Sequence, residues 1–476
     1  MATAKKTTKS KSAKAAATEE AAPKAAAPKK AAKKAAAPAK EPSAPPPPPP
    51  PEEPAKKATK KAAKKGGRGR LAPEPPPEPM TGADLQAEGT RPLDGVRVLE
   101  LSMLPAAAEA GLWLARFGAD VVRLEHPTPA PPLVEEPELF GRPAFDVYAH
   151  RGKKSLSLDW KKPGAVEAVA RLAARADIIL CDWADKDLKP LGLSPSTTRD
   201  ENPRLIWVAL SGYGRSGPLS KFSGRDINFL ALSGLLGLIG GVDGLPALPG
   251  VRLGDTAGGS MPAVIGALLA LLAREKTKKG QLVDVSQLDG IVGLLGSSVA
   301  DYAATRRKPH RGREALYGRY ACYNIYPVRN GRWVALGALE PKAWATLCKA
   351  IDREAMIPEQ FAGPERQQVL VAELTRVFQR KDIREWSEVL DGKDVCLTEV
   401  RSLGDAVQDP HLLERQMMLT YRRPDGSGSY PATGVYPQLS ATPGALGEES
   451  RPTGADSEEI LAELGLSKKD IADLLD

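Results

Sequence analysis

The chain has 476 residues and a formal net charge of +8, long enough for two or more domains with a large core. Its four cysteines are widely spaced, with no Cys-x-x-Cys pair and no histidine cluster, which argues against a zinc site, a disulfide framework and an oxidising compartment, and leaves the reduced cytoplasm as the expected location. The longest apolar runs, near 229–242 and 261–273, contain glycines and fall short of the roughly 18–20 residues of a membrane span, so no membrane contact is expected.

Residues 1–80 have no aromatic side chain, and Leu71 is their only Leu, Ile, Val or Phe. They hold 19 Lys+Arg against 7 Glu, a net +12, which in a chain of +8 leaves the remainder at −4. A Lys/Ala/Pro segment of this kind cannot bury enough apolar surface to offset its chain entropy, so 1–88 is expected to be a disordered tail. Its lysines suit contact with nucleic acid or another polyanion through counterion release, or a plain solubilising role. It lacks the apolar stretch of a secretory signal.

Beyond the tail, "GVRVLELS" (95–102) reads as a strand, "AEAGLWLARFGA" (108–119) as a helix stopping at Gly118, and "DVVRLEHP" as a second strand. A helix over 164–176, a strand over 177–183 and a strand over 203–214 follow. This alternation predicts an α/β domain with an open, Rossmann-like parallel sheet. A helix over 261–280 carries lysines in its last turn and is expected to end at Gly280. "RYACYNIYPVRNGRWVALGAL" (319–339) predicts an aromatic hairpin around Asn-Gly. The domains expected are a large one over 89–300, completed by 425–476, and a smaller α+β one over 315–415. "SEEILAELGLSKKDIADLLD" predicts two short amphipathic helices.

"SGYGRSGPL" contains Gly-x-Gly-x-x-Gly at Gly212, Gly214 and Gly217. A dinucleotide fingerprint needs a helix opening at the third glycine, and here Pro218, Ser220, Ser223 and Gly224 intervene, so a tight turn over the sheet is the better reading. Three carboxylates then stand at three expected helix starts: Asp226 in "GRDINFLALSG", Asp255 in "LGDTAGGS" and Glu340 in "GALEPKAW". Each suits an N-cap. Each also lies where α/β folds build sites, and Gly254 and Gly258–Gly259 leave room for a ligand, giving a candidate acyl- or proton-transfer site.

The ordered set "LDGVRVLELS", "FGADVVRLEHP", "RGKKSLSLDWKKPGA", "SGYGRSGP", "GRDINFLALSG", "LGDTAGGS", "GQLVDVSQLDG" and "CYNIYPVRNGRWVALGALEPKAW" resembles the family III CoA-transferases, the CaiB/BaiF family. The resemblance implies an interlocked homodimer and a CoA thioester as substrate, with no permanently bound cofactor and no metal. Matched by position, Asp226 is the transferase nucleophile, while Asp255 matches the aspartate that serves one face of the substrate in the family's racemase branch and Glu340 the glutamate that supports the histidine of the other face. Arg225 replaces the histidine of that branch, and arginine cannot serve as a base. The reading is therefore a CoA-transferase acting on acyl-CoA and carboxylate small molecules. A 2-methylacyl-CoA racemase, or a catalytically degenerate binding protein, is the alternative.

For CoA, Trp183 keeps an aromatic position suited to adenine, whereas Ala184 and Pro190 stand where the resemblance implies arginines. Arg123, His126, Lys153, Lys154 and Arg225 are the candidate CoA contacts, with Lys186 and Lys189 beside them. Cys396 matches a cysteine that some members carry near the site, and reads as a small buried hydrophobe.

Overall fold

The computed structural model describes residues 89–127, 135–241 and 244–476. The tail over 1–88 and its polyanion contact lie outside the described residues.

Six short strands form one sheet: β1 (Arg97–Leu101), β2 (Asp120–Glu125), β3 (Lys154–Ser157), β4 (Ile178–Cys181), β5 (Ile206–Ser211) and β6 (Leu282–Ser286). Their order is β3-β2-β1-β4-β5-β6 and every pair is parallel, with Leu99 of β1 opposite Val122 and Ile179. Sequences such as "IILC" and "IWVALS" are apolar without alternation because both faces of the sheet are covered. The direction of strand addition reverses between β1 and β4, and the crevice at the carboxyl ends there is where such sheets hold ligands.

Along the chain the helices used below are α1 (Pro105–Arg116), α2 (Ala165–Arg175), α3 (Asp226–Ser233), α4 (Met261–Thr277), α5 (Gln287–Leu294), α6 (Gly296–Thr305), α7 (Pro341–Ala350), α8 (Ser457–Glu463) and α9 (Lys468–Leu475). On one face of the sheet, Ala106, Ala110 and Leu114 of α1 and Ala263, Ala267 and Ala270 of α4 pack against Val98, Leu180 and Val208. On the other, α2 packs with α8 and α9 against Leu99, Ile179 and Trp207. A separate core gathers Tyr326, Trp344, Phe378 and Trp386 around an antiparallel sheet β9-β8-β7, made of β7 (Tyr323–Pro327), β8 (Trp333–Gly337) and β9 (Leu397–Glu399). The Asn-Gly hairpin forms as expected, with Val328 donating to Arg332 O at 2.9 Å and Gly331 at φ +75°.

Several elements differ from expectation. α1 starts at Pro105 rather than 108, because a proline at the first helical position gives up no needed N–H. β3 was not anticipated; "KSLS" is a four-residue edge strand. A hairpin of β10 (Met418–Arg422) and β11 (Ser429–Thr433) is also additional. Lys278, at φ +58°, takes the left-handed position after α4. Gly280 instead lets the chain pass the preceding strand: a Cβ there would stand 1.9 Å from Leu205 O.

α4 also extends backwards without a break. A turn over Leu253–Asp255 and a π-turn over Thr256–Ser260 absorb the Gly258–Gly259 pair that reads as loop. The resulting stretch, Leu253–Thr277, has 25 residues and is by length and composition long and apolar enough to cross a membrane, with 33% of its most apolar window buried in the protein. The expectation that no run reaches that length is corrected accordingly.

Candidate functional site

The site forms where β5 and β6 end. The glycine loop after β5 closes over the ring of Phe229, which is why it is glycine-rich: a Cβ on Gly212 or Gly224 would lie 2.5 or 2.6 Å from that ring. The helix opens at Asp226, not at Gly217, so the loop lacks the helix N-terminus that would meet a dinucleotide pyrophosphate.

Asp226 is half-buried at the first position of α3. It does not cap that helix. Its Oδ1 accepts the backbone N–H of Asp255 at 2.9 Å. Asp255 in turn accepts from Gln287 Nε2 at 2.7 Å through Oδ1, again across to another helix. Burial pushes the Asp255 carboxyl above its ordinary range; the Gln287 bond opposes this and the charge of Asp226 adds to it. Room that the sequence suggests for a ligand at Gly254 is taken by Asp226 itself, whose Oδ1 would be 2.8 Å from a Cβ there. Gly258 and Gly259 likewise meet Gln287 O and the Ala106 side chain.

Arg225 donates its backbone N–H to Asn228 Oδ1 at 2.9 Å, so Asn228 rather than an acidic residue closes the start of α3. The guanidinium is exposed and, among the described residues, forms no ion pair or hydrogen bond, so pairing with Asp226 or a carbonyl is not observed. Glu340 lies at the start of α7, exposed and without a capping bond. Local loss of solvent contact pushes the Cys396 thiol up, and the charges of Asp394 and Glu340 add to it. Cys396 is exposed, not buried, and is not activated towards thiolate. The structure thus joins Asp226 to Asp255 and leaves Glu340 without a hydrogen bond to either.

Two residues that sequence reasoning passed over belong to the same region. Glu109 of α1 is buried, and its Oε2 accepts from Thr256 Oγ1 at 2.8 Å while Oε1 lies 3.3 Å from Arg252 Nη2. Asp182, after β4, accepts the N–H groups of Met103 and Leu104, each at 2.8 Å, and so ties the β1–α1 loop to the switch point. Burial pushes its carboxyl up to about 7 against those two bonds. A lone acidic residue in an alanine run, or after a strand, gives no sequence signal that separates it from a solvated one.

Three candidate CoA contacts are withdrawn. Lys153 is only 1% exposed, and its Nζ is held by Glu100 Oε2 and Ala108 O, each at 2.7 Å. Burial lowers its ammonium to about 8 despite Glu100. Lys154 starts β3, at the amino edge of the sheet, where it lies 3.5 Å from Asp120. Arg123 is buried and paired with Glu125 at 2.6 Å. His126 and Trp183 remain at the carboxyl edge, and Trp160 joins them: the rings of His126 and Trp160 meet edge to face at 4.7 Å, and Trp160 and Trp183 are 5.7 Å apart. Trp183 Nε1 is buried without a hydrogen-bond partner. Ala184, Lys186, Lys189 and Pro190 are exposed nearby in sequence. Among the described residues no group of three or more His, Cys, Asp or Glu side chains is placed to hold a metal ion.

The sequence profile of CoA-transferase family III matches residues 93–457. The chain is 34% identical over 384 residues to the alpha-methylacyl-CoA racemase of Mus musculus, covering 80% of this chain and 96% of that protein. It is 30% identical over 390 residues to the succinyl-CoA–D-citramalate CoA-transferase of Chloroflexus aurantiacus, with the same coverage of 80% and 96%. Among solved structures it is similar to a CaiB/BaiF family protein from Brucella suis, with a TM-score of 0.68 and 26% identity over 79% of this chain and 100% of that one.

Proposed function

Because the chain belongs to CoA-transferase family III, the CaiB/BaiF family, we propose that it moves CoA between an acyl-CoA thioester and a carboxylic acid through a covalent intermediate on Asp226. The observation that carries this reading is the state of Asp226. Oδ1 is held by the Asp255 N–H, while Oδ2 has no hydrogen-bond partner among the described residues and can attack. Attack on the thioester carbon gives an acyl-aspartyl anhydride and expels CoA thiolate. The thiolate then attacks the aspartyl carbonyl, releasing the first carboxylate and leaving an aspartyl-CoA thioester. The acceptor carboxylate attacks that thioester, CoA leaves again as thiolate and takes the new acyl group, and Asp226 is restored. Arg225, charged and unpaired, supplies a contact for the acceptor carboxylate.

In this reading the adenine of CoA stacks on the His126–Trp160–Trp183 group. A second copy of the chain completes the protein. Ile265, Leu269 and Leu272 of α4 and Val292 and Val299 beyond it are all more than half exposed or nearly so, at 46–66%. Such a surface on one chain marks an interface.

A racemase is the second reading, favoured by the upward-shifted Asp255 carboxyl and by the likeness to the Mus musculus enzyme. It needs two groups that exchange protons, one on each face of the α-carbon, and Arg225 is not one of them. The assay that separates the readings follows CoA transfer from an acyl-CoA to a labelled carboxylate in deuterated water. Transfer without α-deuterium supports the proposal; α-deuterium without transfer supports racemisation; no CoA affinity by calorimetry rejects both in favour of a binding protein.

A further inference from the structure

We infer that Glu109 is a positioning residue of this site, gripping the helical segment 252–260 from α1 and thereby fixing where Asp255 presents its carboxylate. The inference rests on the reading that Asp226 and Asp255 together form the reactive site. Glu109 makes three contacts to that segment. Arg252 Nη2 lies 3.3 Å from Oε1, and Thr256 Oγ1 and Ser260 Oγ lie 2.8 and 3.4 Å from Oε2. These residues bracket Asp255 on both sides. The single Ser260 hydroxyl hydrogen has its shortest acceptor in Ala106 O at 2.8 Å, with Asp255 O at 3.1 Å, so the far end of the segment is tied to α1 through Ala106 and its 3.4 Å approach to Glu109 is a close contact.

Between the tethers the backbone runs through the π-turn Thr256–Ser260, an irregularity frequent at functional sites. Nothing about helix packing calls for a carboxylate here. α1 is otherwise alanine, leucine, glycine, tryptophan and proline apart from its terminal Arg116. A carboxylate only 4% exposed is expensive unless its partners are in place, so the three contacts and the buried position belong together.

Facing Glu109 are Arg252 and Asp255, with Asp226 and Arg225 beyond Asp255, and Tyr148 and Lys153 on its other sides. Burial raises the Glu109 carboxyl, Thr256 and Arg252 lower it, and the charge of Asp255 raises it again. Burial and the charge of Asp226 hold the Asp255 carboxyl up, with Gln287, Arg252 and Arg225 opposing, so what Glu109 supplies to Asp255 is the tether to α1.

The test uses the full chain and needs no acyl-CoA. Carboxyls are labelled with a carbodiimide and an amine, and the labelling of Asp255 is followed by peptide mass spectrometry, with exposed Asp425 as reference. Glu109→Gln keeps the size and an acceptor for Thr256 and removes the charge. The rate of Asp255 labelling is expected to rise severalfold relative to Asp425 as the released segment opens around its carboxyl. Thr256→Val keeps the charge and cuts the tether, and amide exchange over 253–260 is expected to quicken about tenfold. Asp255 labelling that does not change in Glu109→Gln, or unchanged exchange in Thr256→Val, overturns the inference. A chain that passes both yet transfers no CoA defeats the proposed function alone. Where transfer is present, Glu109→Gln is expected to lower kcat with little change in KM.

Discussion

The backbone N–H of Asp255 points at Oδ1 of Asp226 across 2.9 Å, which makes the two carboxylate-bearing segments one unit rather than two separately capped helices. Gly254 makes that approach possible, since a Cβ would stand 2.8 Å from Oδ1 and 3.3 Å from the Asp226 Cα. Gly254→Ala is expected to push the segments apart. The stability loss is about 1–3 kcal/mol, the range for an overpacked site. CoA transfer should fall about a hundredfold, as a misplaced reactive group does. Gly404→Ala, whose Cβ would meet only Ser402 Oγ at 3.8 Å, is the control expected to change neither. Denaturant melts and initial rates on the two variants check this.

The buried pair of Lys153 and Glu100 gives a second expectation. Lys153→Met leaves Glu100 without its countercharge and should cost about 3–5 kcal/mol, most of which returns when Glu100→Gln is added. The pH dependence has a definite sign. Burial depresses the folded pKa of Lys153 to about 8 from its ordinary 10.5, so between those values the unfolded chain binds more protons. Stability contributed by this group is present above 10.5 and lost as pH falls through 8. Urea melts of the natural chain and of the double variant across pH 8–10.5 should therefore diverge, the natural chain gaining relative stability as pH rises.

Trp160 was not singled out by the sequence, yet it stands between His126 and Trp183. Trp160→Ala should weaken CoA binding about tenfold, within the roughly 1–3 kcal/mol of an aromatic stack on a base. Lys153→Met, by contrast, should change CoA affinity little, because Nζ is enclosed by Glu100 and Ala108. Calorimetric titration with CoA measures both.

The apolar face of α4 predicts an assembly. Leu269→Asp places a charge on a residue 61% exposed in the single chain, so it should fold normally and still fail to pair. Sedimentation is expected to show a dimer for the natural chain and a monomer for the variant. A natural chain that sediments as a monomer contradicts the second copy.

The parallel sheet, the Asn-Gly hairpin and the position of Asp226 were all legible, because each rests on local pattern: unbroken apolar strands, a turn that only certain residues allow, and a charge at the edge of an apolar helix. The roles of neighbours across the fold were not. Asp226 and Asp255 read as caps because a helix start offers the nearest N–H groups, and only the packing of Gly254 against Asp226 redirects that oxygen to another segment. Lys153 reads as one of two surface lysines in "GKKS". Its burial depends on Gly111, 42 residues earlier in the chain (153 − 111), where a Cβ would stand 1.7 Å from Glu100 Oε2. Glu109 is hidden for the same reason: nothing local distinguishes it from a glutamate facing water.

The central claim is the covalent role of Asp226, and trapping tests it most directly. The protein is incubated with an acyl-CoA, quenched with hydroxylamine, digested, and the peptide carrying Asp226 is weighed. The account predicts a hydroxamate at Asp226 that requires acyl-CoA and is absent from Asp226→Ala, which also loses transfer. An unmodified Asp226, with turnover unchanged in Asp226→Ala, would contradict it.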